Sequence, residues 1–363
     1  MKLSSNRDAI CNLIHSLIHS ESSSDARFNN LAKLIFQYQF EQNPPYRKFC
    51  LLQDKSPDQI NRWEDIPALP VTAFKFVDVV CQPLAKAVRV FHSSGTTKEK
   101  RSHHALFDLE IAQAAIVSHF KRHVLNGEEK IRFCVLTPPP EQAPHSSLSY
   151  MMEVLREAFG TEESEYYIHQ GVSAPAGHLL ADKLFSDLCE AEKPVLLIGT
   201  SFSFVHFIDF IMERPEPLSL PPGSRLMDTG GFKGKSRTVS SHWLYGMIEK
   251  RLGIPTAYCC NEYGMSEMTS QFYDGIAGVP RSRIYHAPPQ TKCQILSPFT
   301  LKPVTKGEVG LLAVCDLANL DSVSAILTED LAKEVSNGFE LMGRATGADI
   351  KGCSVDLDTL LLG

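Results

Sequence analysis

Apolar positions set the first elements of this chain. Ile10, Leu13, Ile14, Leu17 and Ile18 fall at helical spacing behind Asn6, a residue suited to capping a helix. Ser24 can cap a second helix over 24–42, whose inner face carries Phe28, Leu31, Ile35 and Phe36. Pro44, Pro45, Pro57, Pro67 and Pro70 then predict irregular chain up to a short strand at 88–91. Beyond it, apolar runs ending in turn residues predict buried strands at 131–137, 195–199, 226–229 and 256–260. Helical patterns fill the gaps at 105–124, 146–159, 174–191, 201–213 and 240–252. That alternation is the signature of a mostly parallel sheet with helices on its faces, so the expected class is α/β. After residue 280 the texture changes to short β segments at 293–296, 309–315, 325–327 and 338–342. The expected organisation is a helical N-terminal segment plus an α/β core over 1–280, followed by a β-rich subdomain over 281–363.

Composition narrows the function. The 363 residues carry 36 basic and 42 acidic side chains, a net charge of −6 with no long Lys/Arg run, which excludes a non-specific nucleic-acid binder. Hydrophobic residues at 43% and charged residues at 21% exclude a disordered chain. Ten cysteines without a C-x-x-C pair read as reduced thiols, neither a disulfide framework nor a zinc site. The stretch 195–212 is apolar, but Gly199, Thr200, Ser201, His206 and Asp209 interrupt it, so strand, turn and helix fit better than a membrane span. The N-terminal MKLSSNRDAI lacks the regions of a signal peptide, and a cytoplasmic location is expected.

Two loops carry candidate chemistry. In Ser93-Ser94-Gly95-Thr96-Thr97-Lys98 a strand runs into a hydroxyl-rich turn followed by Lys100 and Arg101. Backbone N–H groups around a glycine, hydroxyl donors and nearby cations suit phosphate oxygens, and a solvated polar turn is the plainer alternative. The loop is not a Walker A sequence, which needs G-x-x-x-x-G-K-[ST]. The second loop, Tyr263-Gly264-Met265-Ser266-Glu267, follows a strand, and open α/β sheets bind ligands at that edge. Tyr263 can stack on a base, Ser266 can bond a phosphate, and Glu267 can hold Mg²⁺.

Together the loops resemble those of the adenylate-forming (acyl-adenylate ligase) superfamily, with its S-[ST]-G-T-T-G and Y-G-x-[ST]-E sequences. Within it the chain is similar to the acyl-protein synthetase family of bacterial luminescence (LuxE type). The resemblance extends to Leu197-Ile198-Gly199-Thr200-Ser201-Phe202, Thr229-Gly230-Gly231-Phe232-Lys233-Gly234, Gly343-Arg344 and Ile350-Lys351-Gly352-Cys353. It implies the large-domain fold of those ligases, with ATP and Mg²⁺ as cofactors. It implies activation of a fatty acid, expected to be long-chain, as acyl-AMP. Transfer to an enzyme cysteine and delivery to a partner acyl reductase would follow.

Carried over by position, Ser93, Ser94, Gly95, Thr96 and Thr97 would hold the triphosphate. Gly230 and Gly231 would line the adenine, with Tyr263 and Gly264 against it. Ser266 would touch the α-phosphate, Glu267 would bind Mg²⁺, and Asp330 and Arg344 would hold the ribose. Cys353 would accept the acyl group, its thiol activated by Lys351.

The chain also departs from the pattern. Lys98 stands where the superfamily has a second glycine, the T-G-D aspartate site reads Thr328-Glu329-Asp330, and the aspartate that commonly follows the arginine is missing, with Asp349 close by. The usual mobile C-terminal domain with its catalytic lysine is expected to be absent, leaving that task to Lys98, Lys100, Lys233, Lys351 or a partner. His104 and His145 could face the acyl or phosphate site, or be ordinary core or surface residues. Phe202, Phe204, Phe207 and the second helix could line an acyl tunnel, although core packing fits them better. Competing functions are an acyl- or aryl-CoA ligase relative, and a non-catalytic subunit that docks a reductase.

Overall fold

The computed structural model describes residues 7–93, 101–171, 174–230, 239–280 and 283–345. The chain forms two compact units. The first takes the chain up to Ala115, then Met265–Gln271, then Ile284 onward; the second takes Ile116–Gly264 and Phe272–Arg283.

In the first unit the opening helices stand where their spacing put them, at Arg7–Ile18 and Asp25–Gln42. Ile10, Ile14, Leu17 and Ile18 are buried, and so are Phe28, Leu31, Ile35 and Phe36; Leu13 stays exposed. Ser24 caps the second helix by accepting the Arg27 N–H at 3.2 Å. The proline stretch is not wholly irregular, which corrects the expectation for this segment. Pro44 and Pro45 open a third helix, Pro44–Leu52, capped by Asn43. A helix's first N–H groups have no partner inside it, so proline loses nothing at those positions.

The β segments after residue 280 build a five-stranded sheet in this unit. Thr291–Leu296, Val309–Asp316 and Ala325–Val335 run antiparallel in sequence order, and Gly338–Arg344 folds back on the last of them. Leu69–Pro70 joins in parallel beside Ile326 and Leu327. Ala325–Val335 is much longer than the 325–327 expected, because the strand runs on past Thr328-Glu329-Asp330, where its register with Val309–Asp316 shifts between the pairs Leu327–Ala313 and Leu331–Leu311.

A separate hairpin pairs Arg89–His92 with His103–Leu106. Residues 103–106 are therefore strand, a correction to the helix expected from 105. The helix starts at Leu109, where Asp108 Oδ1 accepts the Glu110 N–H at 2.9 Å.

The second unit holds a six-stranded sheet, in spatial order Phe272–Tyr273, Cys259–Tyr263, Arg225–Thr229, Val195–Thr200, Arg132–Leu136 and Glu165–Tyr166. All its pairs are parallel except the first. Helices Ser147–Phe159, Ala181–Cys189, Ser201–Met212 and Ser241–Leu252 accompany it. Leu197, Phe204, Phe207, Leu226 and Tyr245 share its core.

Two further boundaries move. The segment at 174 begins as strand Ala174–Leu179, paired with Ile168–Gly171, before the helix starts at Ala181. A 3₁₀ turn, Thr256–Tyr258, delays the next strand to Cys259–Tyr263, so Glu262 and Tyr263 are strand residues and not loop residues. The apolar stretch at 195–212 is a strand and a helix, with Thr200 capping the helix by accepting the Ser203 N–H at 3.0 Å. Among the described residues no helix is long and apolar enough to cross a membrane.

Candidate active site

The hairpin in the first unit flanks the first candidate loop. Ser93 leaves it and Ser102 returns to it, and the two residues are tied twice. The Ser93 N–H donates to the Ser102 carbonyl at 3.1 Å, and the Ser102 N–H donates to Ser93 Oγ at 3.0 Å. Ser102, just ahead of the returning strand, and His104 within it are buried, while His103 between them is exposed.

Both inward side chains reach the second motif. Residues 265–268 form a turn closed by the Met268 N–H on the Met265 carbonyl at 3.1 Å, with Ser266 and Glu267 at its centre. The Ser102 hydroxyl donates to Glu267 Oε1. His104 Nδ1 lies 2.8 Å from the Ser266 carbonyl oxygen. Burial pushes the His104 pKa down to about 4, so the ring is neutral near pH 7, and the nitrogen facing a carbonyl must be the protonated one.

The far side of the turn is equally held. Asn319 Nδ2 donates to the Glu267 carbonyl at 2.8 Å, and its Oδ1 accepts the Thr269 hydroxyl at 2.6 Å. Asp316 accepts the Thr269 and Ser270 N–H groups at 2.9 and 2.8 Å. Glu267 is thus a carboxylate only 6% exposed, fixed through both side chain and backbone. Among the described residues no cluster of three His, Cys, Asp or Glu side chains could hold a metal by itself. A single fixed carboxylate suits Mg²⁺, which binds through one or two carboxylates plus substrate phosphates and water.

Asp330 and Arg344 are direct cross-strand partners. Arg344 Nε lies 3.7 Å from Asp330 Oδ1, and an Arg344 terminal nitrogen lies 3.3 Å from Glu329 Oε2. The acidic residue that departs from the superfamily pattern is therefore the nearer partner of the arginine.

In the second unit Gly230 ends Arg225–Thr229 at φ 75°, a left-handed conformation that favours glycine. Among the described residues nothing lies within 4 Å of where a Cβ would stand there. Its carbonyl accepts the Ser201 hydroxyl at 2.8 Å. Behind it lie two buried carboxyls. Asp228 accepts the Ser201 and Tyr245 hydroxyls, and burial raises its pKa. Glu262 pairs in register with Thr229 and accepts its hydroxyl. Burial pushes Glu262 up to about 7, Thr229 opposes the rise, and Asp228 adds to it. Tyr263 is half-buried, its ring centroid 5.9 Å from that of Phe272.

Ser94, Gly95, Thr96, Thr97, Lys98, Lys100, Gly231, Lys233, Lys351 and Cys353 lie outside the described residues. Of the nine described cysteines seven are buried, as small apolar residues are, and burial raises the Cys11, Cys50 and Cys134 thiols to about 11, 12 and 12. Cys189 is exposed at the end of its helix. Phe204 and Phe207 are core residues, while Phe202 is partly exposed with its ring 4.4 Å from that of His206. His145 is exposed ahead of Ser147–Phe159. Ser102, Thr229 and Glu262 lie in or beside the quoted motifs but carry no role in the sequence reading, and Asn319 is not among its candidates; the i, i+2 spacing of Ser102 and His104 is the signal available for the first.

Solved structures give the class of the fold. The chain is similar to 2-hydroxyisobutyryl-CoA ligase in an open conformation with 2-HIB-AMP and CoA. The TM-score is 0.63 at 17% identity, over 88% of this chain and 69% of that one. ATP-bound MatB from Rhodopseudomonas palustris matches with a TM-score of 0.50 at 13% identity, over 73% of this chain and 49% of that one. The fold is that of the adenylate-forming ligases. The family described as "Acyl-protein synthetase, LuxE" matches residues 4–361, and the chain belongs to that family of ATP-dependent ligases. A relative from Aliivibrio fischeri, "Long-chain-fatty-acid--luciferin-component ligase", is 21% identical over 348 residues, covering 92% of this chain and 88% of its own length.

Proposed function

We propose that the protein joins a long-chain fatty acid to AMP at the expense of ATP, transfers the acyl group to Cys353, and delivers it to a partner acyl reductase. The observation that carries this reading is the match to the acyl-protein synthetase family over residues 4–361. The hydrogen-bonded link from the base of the phosphate loop to Glu267 supports it. The name of the Aliivibrio fischeri relative supports the substrate class.

The fatty-acid carboxylate attacks the α-phosphorus, the bond to the bridging oxygen breaks, and pyrophosphate leaves. An in-line displacement of this kind asks the protein for positioning and for neutralisation of phosphate charge. Ser93 and the loop residues Ser94, Gly95, Thr96 and Thr97 bind the triphosphate, and Ser266 binds the α-phosphate. Gly230, Gly231, Tyr263 and Gly264 take the adenine, while Asp330 and Arg344 take the ribose. Glu267 would hold Mg²⁺, which supplies charge neutralisation at the phosphates. Lys98 or Lys351 adds positive charge. The Cys353 thiolate, with Lys351 two residues away, then attacks the acyl carbonyl carbon, forming a thioester as AMP leaves.

The test is pyrophosphate–ATP exchange and covalent labelling with fatty acids of graded length. Cys353→Ser should keep exchange and lose the protein label. Cys189→Ser, at the exposed end of its helix, should change neither. No exchange with any carboxylate would overturn adenylation. Label that survives Cys353→Ser would overturn the acceptor, and label appearing only on added coenzyme A would indicate a CoA ligase.

A further inference from the structure

The base of the phosphate loop and the Ser266–Glu267 turn lie far apart in sequence, yet one buried residue, Ser102, bonds both, the first through its backbone and the second through its hydroxyl. Ser102 receives its backbone position from Ser93, through bonds of 3.1 and 3.0 Å, and gives its hydroxyl to Glu267 Oε1, 165 residues away. Two residues along, and buried like Ser102, His104 donates from Nδ1 to the Ser266 carbonyl at 2.8 Å. The histidine ring is itself seated edge-on against Phe74, with centroids 6.3 Å apart and planes at 82°. The short stretch from Ser102 to His104 therefore contacts both the side chain and the backbone of the turn.

We propose that Ser102 and His104 are positioning residues that hold the metal carboxylate Glu267 and the phosphate-binding Ser266 in register with the base of the phosphate loop. The proposal rests on the adenylation reading. Ser102 fixes one oxygen of the Glu267 carboxylate, so the group presents a set orientation to a nucleotide-bound cation. Partners of this kind orient metal ligands, and their loss costs about 10–100-fold in metal affinity or activity. His104 fixes the Ser266 peptide plane, and with it the direction of the Ser266 hydroxyl.

The experiment compares wild type with Ser102→Ala, Ser102→Thr, His104→Leu and His104→Asn, with His103→Gln as the outward-facing control. Pyrophosphate exchange is measured across Mg²⁺ and ATP concentrations. Mn²⁺ binding in the presence of a non-hydrolysable ATP analogue is followed by electron paramagnetic resonance. Ser102→Ala should raise the Mg²⁺ needed for half-maximal exchange by about 10-fold or more, weaken Mn²⁺ by a similar factor, and leave the thermal midpoint near wild type. Ser102→Thr should restore most of the affinity.

His104→Leu should raise the KM for ATP and lower kcat. His104→Asn, whose amide nitrogen falls near the Nδ1 position, should recover both in large part, and His103→Gln should match wild type. Unchanged Mg²⁺ and Mn²⁺ dependence in Ser102→Ala would overturn the proposal, as would equal losses in His104→Leu and His104→Asn. If the wild type shows no exchange with any fatty acid, adenylation fails as a reading, and the Mn²⁺ titration still decides the role of Ser102.

Discussion

His104 and Glu262 are buried titratable side chains whose protonation acts on stability in opposite senses. His104 has a pKa of about 4 in the fold against 6.5 for a free imidazole. Between those values the unfolded chain binds a proton that the folded one refuses. The contribution is therefore full above 6.5 and lost as pH falls towards 4. The thermal midpoint of the wild type should drop through that window, and His104→Asn should drop less; superimposable pH profiles would contradict this.

Glu262 has a pKa of about 7 in the fold against 4.5 free, so its contribution is present at low pH and lost as pH rises through 7. Glu262→Gln keeps an acceptor for Thr229 and cannot ionise. It should exceed the wild type at about pH 8 by on the order of 1–3 kcal/mol, with the gap closing near pH 5, as read by denaturant melts. A gap independent of pH would show that the carboxyl is not ionising. Neither role was legible in the sequence, because each is made by burial. Ser93, Gly230, Tyr263, Ser266, Glu267, Asp330 and Arg344 can be read as candidates because they sit in contiguous motifs; Ser102 and Asn319 bond Glu267 across 165 and 52 residues.

Among the elements, the junction of the second and third helices shows how a short polar residue can serve several neighbours. Asn43 is fully buried, donates its N–H to the Gln39 carbonyl at 2.9 Å, and caps the next helix by accepting the Tyr46 N–H at 3.2 Å. Its Nδ2 also donates to the Ser322 carbonyl at 3.2 Å. Asn43→Ala removes a cap and leaves a buried carbonyl without this donor. It should lower stability by about 1–3 kcal/mol in denaturant melts, while Asn43→Asp should retain the cap and lose the donor. Equal stabilities for Asn43→Ala and wild type would rule out the capping role.

Helices with a clear apolar stripe and strands with continuous apolar runs were readable. Errors fell at 44–52, 103–106 and 174–179. In the first case prolines start a helix; in the others a strand runs into a helix with only Phe107-Asp108 or Leu180 between them. Local pattern cannot separate these, since pairing partners decide them.

Over the whole chain, the first unit is assembled from three stretches of sequence. Four of the five strands in its larger sheet come after residue 280. The 319–324 segment from the same region is gripped by the N-terminal helices. Gln39 Nε2 donates to the Asn319 and Leu320 carbonyls at 2.9 Å, and Arg7 Nε meets Asp321 at 2.9 Å. A chain cut at residue 280 should therefore lose amide-exchange protection over residues 7–52 while the strands from Arg132 to Tyr263 keep theirs. Retained protection at 7–52 would show that those helices stand without the sheet.

Sequence by itself determined the α/β class, the texture change towards β structure after residue 280 and the motif residues, because periodicity and contiguous motifs are local properties of the chain. Tertiary structure decided which residues hold those motifs. Ser102 with Glu267, His104 with Ser266, and Thr229 with Glu262 are hydrogen bonds between segments remote in sequence. They exist only because folding excludes water from those sites, and burial then sets both their geometry and the protonation of His104 and Glu262.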